Sequence, residues 1–289
     1  MLAQLLFSGL ALGSMYALVA LGYHITYATS RTVNFSQGQA VMVGAVVAYV
    51  LHVSLGWPLA AAVAATLVAL AALGVFVERL AVRPFLRSAS IAWLLSTIAL
   101  GIIAENVAMI AFGKDARAFP SPLTRRPWTV LGAGVYPHEL LVPVAGLAIA
   151  AAVEAGFRHT LAGKALRAVA HSHDAAGLMG IDVGRTITAA YVLSSLLAGA
   201  AGILLAPLLN VSATMGTTIG LKGFAVAIIG GIDSARGIVL AGWLYGVLES
   251  VVAGYLGTGV REIVGFAAVI LVLLVRPAGV FGGRARRRV

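Results

Sequence analysis

Charged and amide side chains inside long apolar runs are the residues of this chain most in need of a chemical role. A charge in hydrocarbon costs roughly 2.5–3.5 kcal/mol on insertion scales, so it persists where it is paired or used. Glu105-Asn106 sits in the middle of the apolar run 91–112, and Glu249 sits within 236–256. Each has two readings: a polar lining or proton relay, or a hydrogen bond between helices. A snorkelled side chain near an interface is a further structural alternative. Lys222 marks the edge of a glycine-rich stretch, 220–232, and is expected at the external boundary, where it attracts anionic solutes or anchors a helix.

Two short segments share a form. Asn34-Phe-Ser-Gln-Gly38 and Asp233-Ser-Ala-Arg-Gly237 each place an Asx residue four before a glycine, ahead of a small-residue apolar helix. An Asx at that position caps the helix by accepting its free amide donors. Such a helix start could also face a substrate carboxylate; ordinary capping without solute contact is the favoured reading. Matching interrupted segments in two halves point to a transporter's translocation path. The path candidates are Asn34, Gln37, Gly38, Glu105, Asn106, Gly230, Gly231 and Asp233.

Other chemistries are excluded. There is no cysteine, hence no disulfide, thiol nucleophile or thiolate metal site. His171 and His173 stand two apart with no third ligand nearby, so no metal or other cofactor is expected. No Ser/His/Asp cluster or paired aspartate falls at membrane depth. No Gly-x-x-x-x-Gly-Lys-Ser/Thr run occurs, so the chain does not itself cradle ATP phosphates, and it is not expected to be an enzyme.

The elements that position these residues are membrane spans. Of 289 residues, 61% are hydrophobic and 10% charged, against about 25% charged in soluble domains. A crossing needs about 20 apolar residues. Eight stretches qualify: 3–27, 38–56, 57–78, 91–112, 138–157, 186–208, 236–256 and 260–276. The stretch 220–232 is too short for an ordinary crossing and reads as a re-entrant or broken helix. The expected fold is therefore all-α: a polytopic transmembrane bundle of eight long spans plus that short helix, forming one permease domain over 1–289. The opening Met1-Leu-Ala-Gln lacks a basic region, so no cleavable signal is expected.

The net charge of +10 is read as orientation, not nucleic-acid binding. Arg79, Arg83 and Arg87 share one short loop, and Arg158, Lys164, Arg167 and Arg185 share the loop 158–185. Arg284, Arg286, Arg287 and Arg288 form a basic tail, 284–289, that is expected to be cytoplasmic. The loop 113–137 is then external despite its own four basic residues. The N-terminus is outside if 220–232 completes a crossing, and inside if it is re-entrant. The loop 158–185 reads as two short helices, Gly163 to about His173 and Asp174 to Met179, ended by Gly180. It serves either as an amphipathic linker on anionic headgroups or as a segment docking another subunit.

Gly163-Lys-Ala-Leu-Arg-Ala-Val-Ala, followed by Ala175-Ala-Gly-Leu-Met-Gly-Ile-Asp-Val, resembles the cytoplasmic loop of branched-chain amino acid ABC transporter permeases. Gly13-Ser-Met-Tyr-Ala-Leu-Val-Ala-Leu-Gly-Tyr is similar to that family's first helix, and Glu78-Arg-Leu-Ala-Val-Arg-Pro-Phe to the loop after its third. Leu221-Lys-Gly-Phe-Ala-Val-Ala-Ile-Ile-Gly-Gly-Ile-Asp-Ser-Ala-Arg-Gly resembles its glycine-rich motif. Val33-Asn-Phe-Ser-Gln-Gly-Gln resembles an Asn-Phe-Ala-His-Gly-Glu-type segment, with Ser36-Gln37 and Gln39 as departures. Asp233 is another, standing where glycine is usual.

The resemblance implies one half of an importer in a bacterial or archaeal cytoplasmic membrane, carrying branched-chain or related hydrophobic amino acids. A second homologous permease, two cytoplasmic ATP-binding subunits and a periplasmic or lipid-anchored solute-binding protein are the implied partners besides the lipid bilayer. No nucleic acid is among them. The implied ATPase contacts are Lys164, Arg167, Ala168, Leu178, Met179 and Gly180. The alternatives are a related ABC permease for urea, short amides, aromatic acids or sugars, and, from another class, a secondary transporter or channel.

Overall fold

The computed structural model describes residues 2–86, 91–130 and 132–282. Arg87 and the basic tail 284–289 lie outside the described residues. Eleven α-helices are present among the described residues: α1 (Leu2–Ser30), α2 (Gln37–Tyr49), α3 (Leu59–Val77), α4 (Ala92–Phe112), α5 (Pro137–His159), α6 (Leu161–His171), α7 (His173–Leu178), α8 (Val183–Leu205), α9 (Met215–Gly230), α10 (Ala235–Leu256) and α11 (Thr258–Val275). A π-helical turn, Val50–Ser54, extends α2, and another, Glu78–Val82, extends α3. Eight of these helical runs are long and apolar enough to span a bilayer. In the loop 113–137, β1 (Trp128–Val130) and β2 (Ala133–Val135) pair as an antiparallel hairpin.

Contacts order the helices between two ends of the bundle. The end holding α6 and α7 also holds the C-terminus of α1, because His173 Nε2 donates to the Thr29 carbonyl at 2.6 Å. The start of α1 lies at the distal end, where Ser8 meets Glu139 at the head of α5 and Leu5 packs on Gly254. The segment 231–234 returns to the loop end: the Ile232 carbonyl accepts from His24 Nδ1 at 2.5 Å. The residues after α11 pack there as well, Val280 N–H bonding the Ile229 carbonyl. The chain therefore traverses the bundle an odd number of times, with its first helix starting distally and its last ending at the loop end. This settles the parity that the sequence leaves open.

Two traverses are only partly helical. Residues 31–36 run back into the bundle without helix, and α2 begins beside Gly22 and Ser194, well inside it. Residues 206–214 do the same from the distal end before α9. At about 24 Å, the 16 residues of α9 are too short to cross a core of about 30 Å alone. The apolar stretch 220–232 is thus the end of a longer helix. The hydroxyls of Thr214, Thr217 and Thr218 hide its start from a hydropathy reading.

The two halves, α1–α4 and α8–α11, mirror each other in contact and run in opposite senses. Helix α1 packs along α10 as α8 packs along α3, and α1 crosses α9 as α8 crosses α2. At the centre α2 meets α9 backbone to backbone, and a Cβ at Gly38 would overlap the Gly216 carbonyl. Glycine is required there because no side chain fits between the helices. The sequence pairs the wrong segments. The counterpart of the Asn34–Gly38 entry is the start of α9, not Asp233–Gly237 at the start of α10.

Candidate functional site

The path candidates separate into two places. At mid-depth on an open flank of the bundle, the starts of α2 and α9 meet the middle of α4. Gln39 Nε2 stands 3.3 Å from Glu105 Oε2 and 3.2 Å from Thr217 Oγ1. The Thr217 hydroxyl also donates to that carboxylate oxygen. Glu105 is half-buried about 10 Å from the end of α4, while Thr214, Thr217 and Thr218 are exposed. Gly38 lies behind this cluster. Asn106 does not join it: its side chain is exposed and donates to the Ile102 carbonyl of its own helix.

Asn34 and Gln37 are held in the interior. The Asn34 carboxamide oxygen accepts from the Ser36 amide and hydroxyl, an Asx turn ahead of the helix and not a cap on it. Gln37 exchanges bonds with Ser194, whose hydroxyl donates to Oε1 at 2.8 Å while Nε2 donates to the Ser194 carbonyl at 3.0 Å. The N-caps of α2 and α9, Ser36 and Thr214, make no side-chain cap bond. Those of α6, α7, α8 and α10 do, through Thr160, Ser172, Asp182 and Ser234. The starts of α2 and α9 therefore keep first-turn amide donors that no cap side chain takes up, as do those of α3, α4 and α11.

Gly230, Gly231 and Asp233 lie at the loop end, away from the cluster. Gly230 packs on Ile238, and Gly231, at φ 86°, ends α9. Asp233 is exposed and 4.0 Å from Arg31. The α10 cap expected of Asp233 belongs to its neighbour Ser234, which accepts from the Gly237 amide.

Lys222 is not a boundary residue. It is 2% exposed, with Nζ 2.7 Å from Glu249 Oε1, and the other Glu249 oxygen accepts from the Tyr16 hydroxyl at 2.8 Å. Glu262 lies 3.8 Å from the same ammonium. Of the two readings for Glu249, the structure shows the interhelical bond, made as an ion pair. Sequence reasoning missed a second buried acid, Glu78. It pairs with Arg83 at 2.8 Å and accepts from Thr188, tying the end of α3 to the start of α8. The available signal was an acid and a base five apart at the end of an apolar run.

Of the loop helices, α6 lies two residues earlier than the sequence suggests and α7 one. Leu166, Val169 and Ala176 are buried against the bundle, while Lys164 and Arg167 are exposed and Ala168 is half-buried. Leu178 and Met179 project at 90% and 83% exposure, next to exposed Gly180. Arg31 Nη2 reaches the Ala170 carbonyl at 3.4 Å, so the loop is fastened to the end of α1. His171 is exposed and His173 is bonded to backbone, and no metal-holding cluster occurs among the described residues.

Inverted halves, interrupted spans meeting in the interior and a polar cluster at their junction define a multi-pass membrane transport protein. Residues 5–275 match the family described as branched-chain amino acid transport system / permease component, and the chain belongs to that family. It is 32% identical to the high-affinity branched-chain amino acid transport system permease protein LivH of Escherichia coli K12, over 96% of this chain and 95% of the relative. It is 31% identical to the corresponding permease protein BraD of Pseudomonas aeruginosa, over 96% and 95%. A probable branched-chain amino acid transport permease of Methanocaldococcus jannaschii is 28% identical over 93% and 89%.

Proposed function

We propose that this chain is one permease half of an ABC importer in a bacterial or archaeal cytoplasmic membrane, carrying branched-chain or related hydrophobic amino acids. Separate ATP-binding subunits dock on the loop end, and a solute-binding protein delivers to the distal end past the 113–137 loop. A second permease faces the polar flank. The observation that carries this reading is the cluster Gln39, Glu105 and Thr217 at the meeting point of two uncapped helix starts. A carboxylate and three threonine hydroxyls on an outward face at this depth are unsuited to lipid, so the face borders a partner and a polar path.

The arrangement complements a zwitterion. Helix N-termini favour a carboxylate, and Glu105 favours an ammonium. The apolar rings of Phe35, just ahead of α2, and Phe224, in the second half of α9, stand 5.3 Å apart and suit an aliphatic side chain. At the other end, Leu178 and Met179 are large apolar groups that no described residue covers, as a docking tip requires. Lys164, Arg167, Ala168 and Gly180 complete that surface, and the loop 158–185 transmits the motion through Thr29 and Arg31 to α1.

Because the chain has no cysteine, Thr217→Cys and Glu105→Cys give single labels without background. In the assembled importer both should react with a small water-soluble thiol reagent, at rates that change on ATP addition and fall with leucine present. Ile110→Cys, 86% exposed on the lipid side of α4, should stay unlabelled. Equal, ligand-independent labelling of all three positions would rule out the path assignment.

A further inference from the structure

A cleft of about 610 Å³ opens on the flank formed by α1, α5, α6 and α10. None of its lining residues lies on α2, α4 or α9, so it is separate from the polar cluster. Its walls are aliphatic and aromatic, with Leu147, Phe157 and Trp243 among them. The charged groups on it gather at the loop end. Arg167 and Arg236 are exposed, and no hydrogen bond or ion pair among the described residues engages either guanidinium. Glu154 is neutralised by Arg158 at 2.6 Å, and His24 is bonded to the Ile232 carbonyl. The mouth is therefore net positive and the walls are dry.

The depth is informative. From Ala235 to Trp243 the cleft runs about 12 Å along α10, and from Phe157 to Leu147 about 15 Å along α5. That is one leaflet of a hydrocarbon core about 30 Å thick. We propose that this cleft binds an anionic phospholipid of the leaflet at the loop end, with its acyl chains between α5 and α10 and its phosphate between Arg167 and Arg236. Free guanidinium groups at the mouth of an apolar cleft match such a headgroup in charge. A second copy of the chain or another helix would leave both arginines without a partner unless it brought acids of its own. The site depends only on membrane insertion and not on which solute is carried.

Trp243 reports occupancy directly, since it lines the cleft and its indole N–H is fixed to Ser14 Oγ at 2.9 Å. The full chain with Trp57→Phe, Trp93→Phe and Trp128→Phe leaves it as the sole tryptophan. In reconstituted vesicles, phosphatidylglycerol with brominated chains should quench it at a mole fraction about 25-fold lower than brominated phosphatidylcholine, roughly fivefold per arginine. Arg236→Gln should cut that preference to about fivefold; Arg167 is left intact because it also faces the proposed ATPase site. Ala151→Phe, at an exposed wall position, should weaken quenching by both lipids. Equal quenching by the two lipids, unchanged in Arg236→Gln, would overturn the proposal as ordinary bulk-lipid contact. Absence of quenching by either would overturn it as a cleft covered by protein.

Discussion

Replacing Lys222 by methionine removes the partner of a carboxylate that is 1% exposed. Taking one member from a buried ion pair costs about 3–5 kcal/mol, because the other is left charged without compensation. The Tyr16 hydroxyl still donates to Glu249 at 2.8 Å, which places the cost near the lower figure, about 3 kcal/mol. At about 2–4 °C per kcal/mol for chains of comparable size, Lys222→Met should melt about 6–12 °C below the parent. Glu249→Leu alone should fall by a similar amount, since it leaves the buried ammonium only the exposed Glu262 carboxylate, 3.8 Å away. The double variant replaces a pair by apolar groups of similar bulk, and should return to within about 1 kcal/mol of the parent. Thermal unfolding in detergent, followed by tryptophan fluorescence, measures all four proteins in one cycle. A double variant melting as low as the two single losses combined would refute the reasoning, because the groups would then not act on each other.

Gly38→Ala should abolish the folded protein, since the added methyl overlaps the Gly216 carbonyl, whereas Gly156→Ala, with open space around it, should be neutral or slightly stabilising in the same melting assay. Ser234→Ala should cost about 1 kcal/mol through loss of the α10 cap, read as a small fall in melting temperature. Leu178→Ser with Met179→Ser should leave the melting temperature unchanged, as both side chains are exposed, and should prevent co-purification of the ATP-binding subunits. Retained co-purification would count against the docking tip.

The spans were legible because hydrocarbon imposes a length and a composition on each helix. Helices α1, α3, α4, α5, α8, α10 and α11 fall within a few residues of the apolar runs. Helix α2 with its extension, 37–54, also falls within two residues of its run, 38–56; the first turns of α9 were not legible, for a physical reason. The start of α9 is threonine-rich and lies beside protein and an open polar face, so hydropathy does not mark it. Its relation to α2 rests on two glycines 178 positions apart that touch only in three dimensions. Lys222 was misplaced because its neutralising partners, Glu249 and Tyr16, come from other helices, and a charge reads as a boundary until its partner is known. Glu105 was legible as an anomaly, but its partners Gln39 and Thr217 became visible only once α2, α4 and α9 were assembled.

The most direct measurement is uptake of radiolabelled leucine into proteoliposomes assembled from defined subunits. Accumulation against a gradient is expected when this chain is present with a second permease, the ATP-binding pair, a solute-binding protein and ATP, and it should vanish when any one is omitted. Accumulation by this chain alone, driven by an ion gradient, would contradict its assignment as half of an ATP-powered importer.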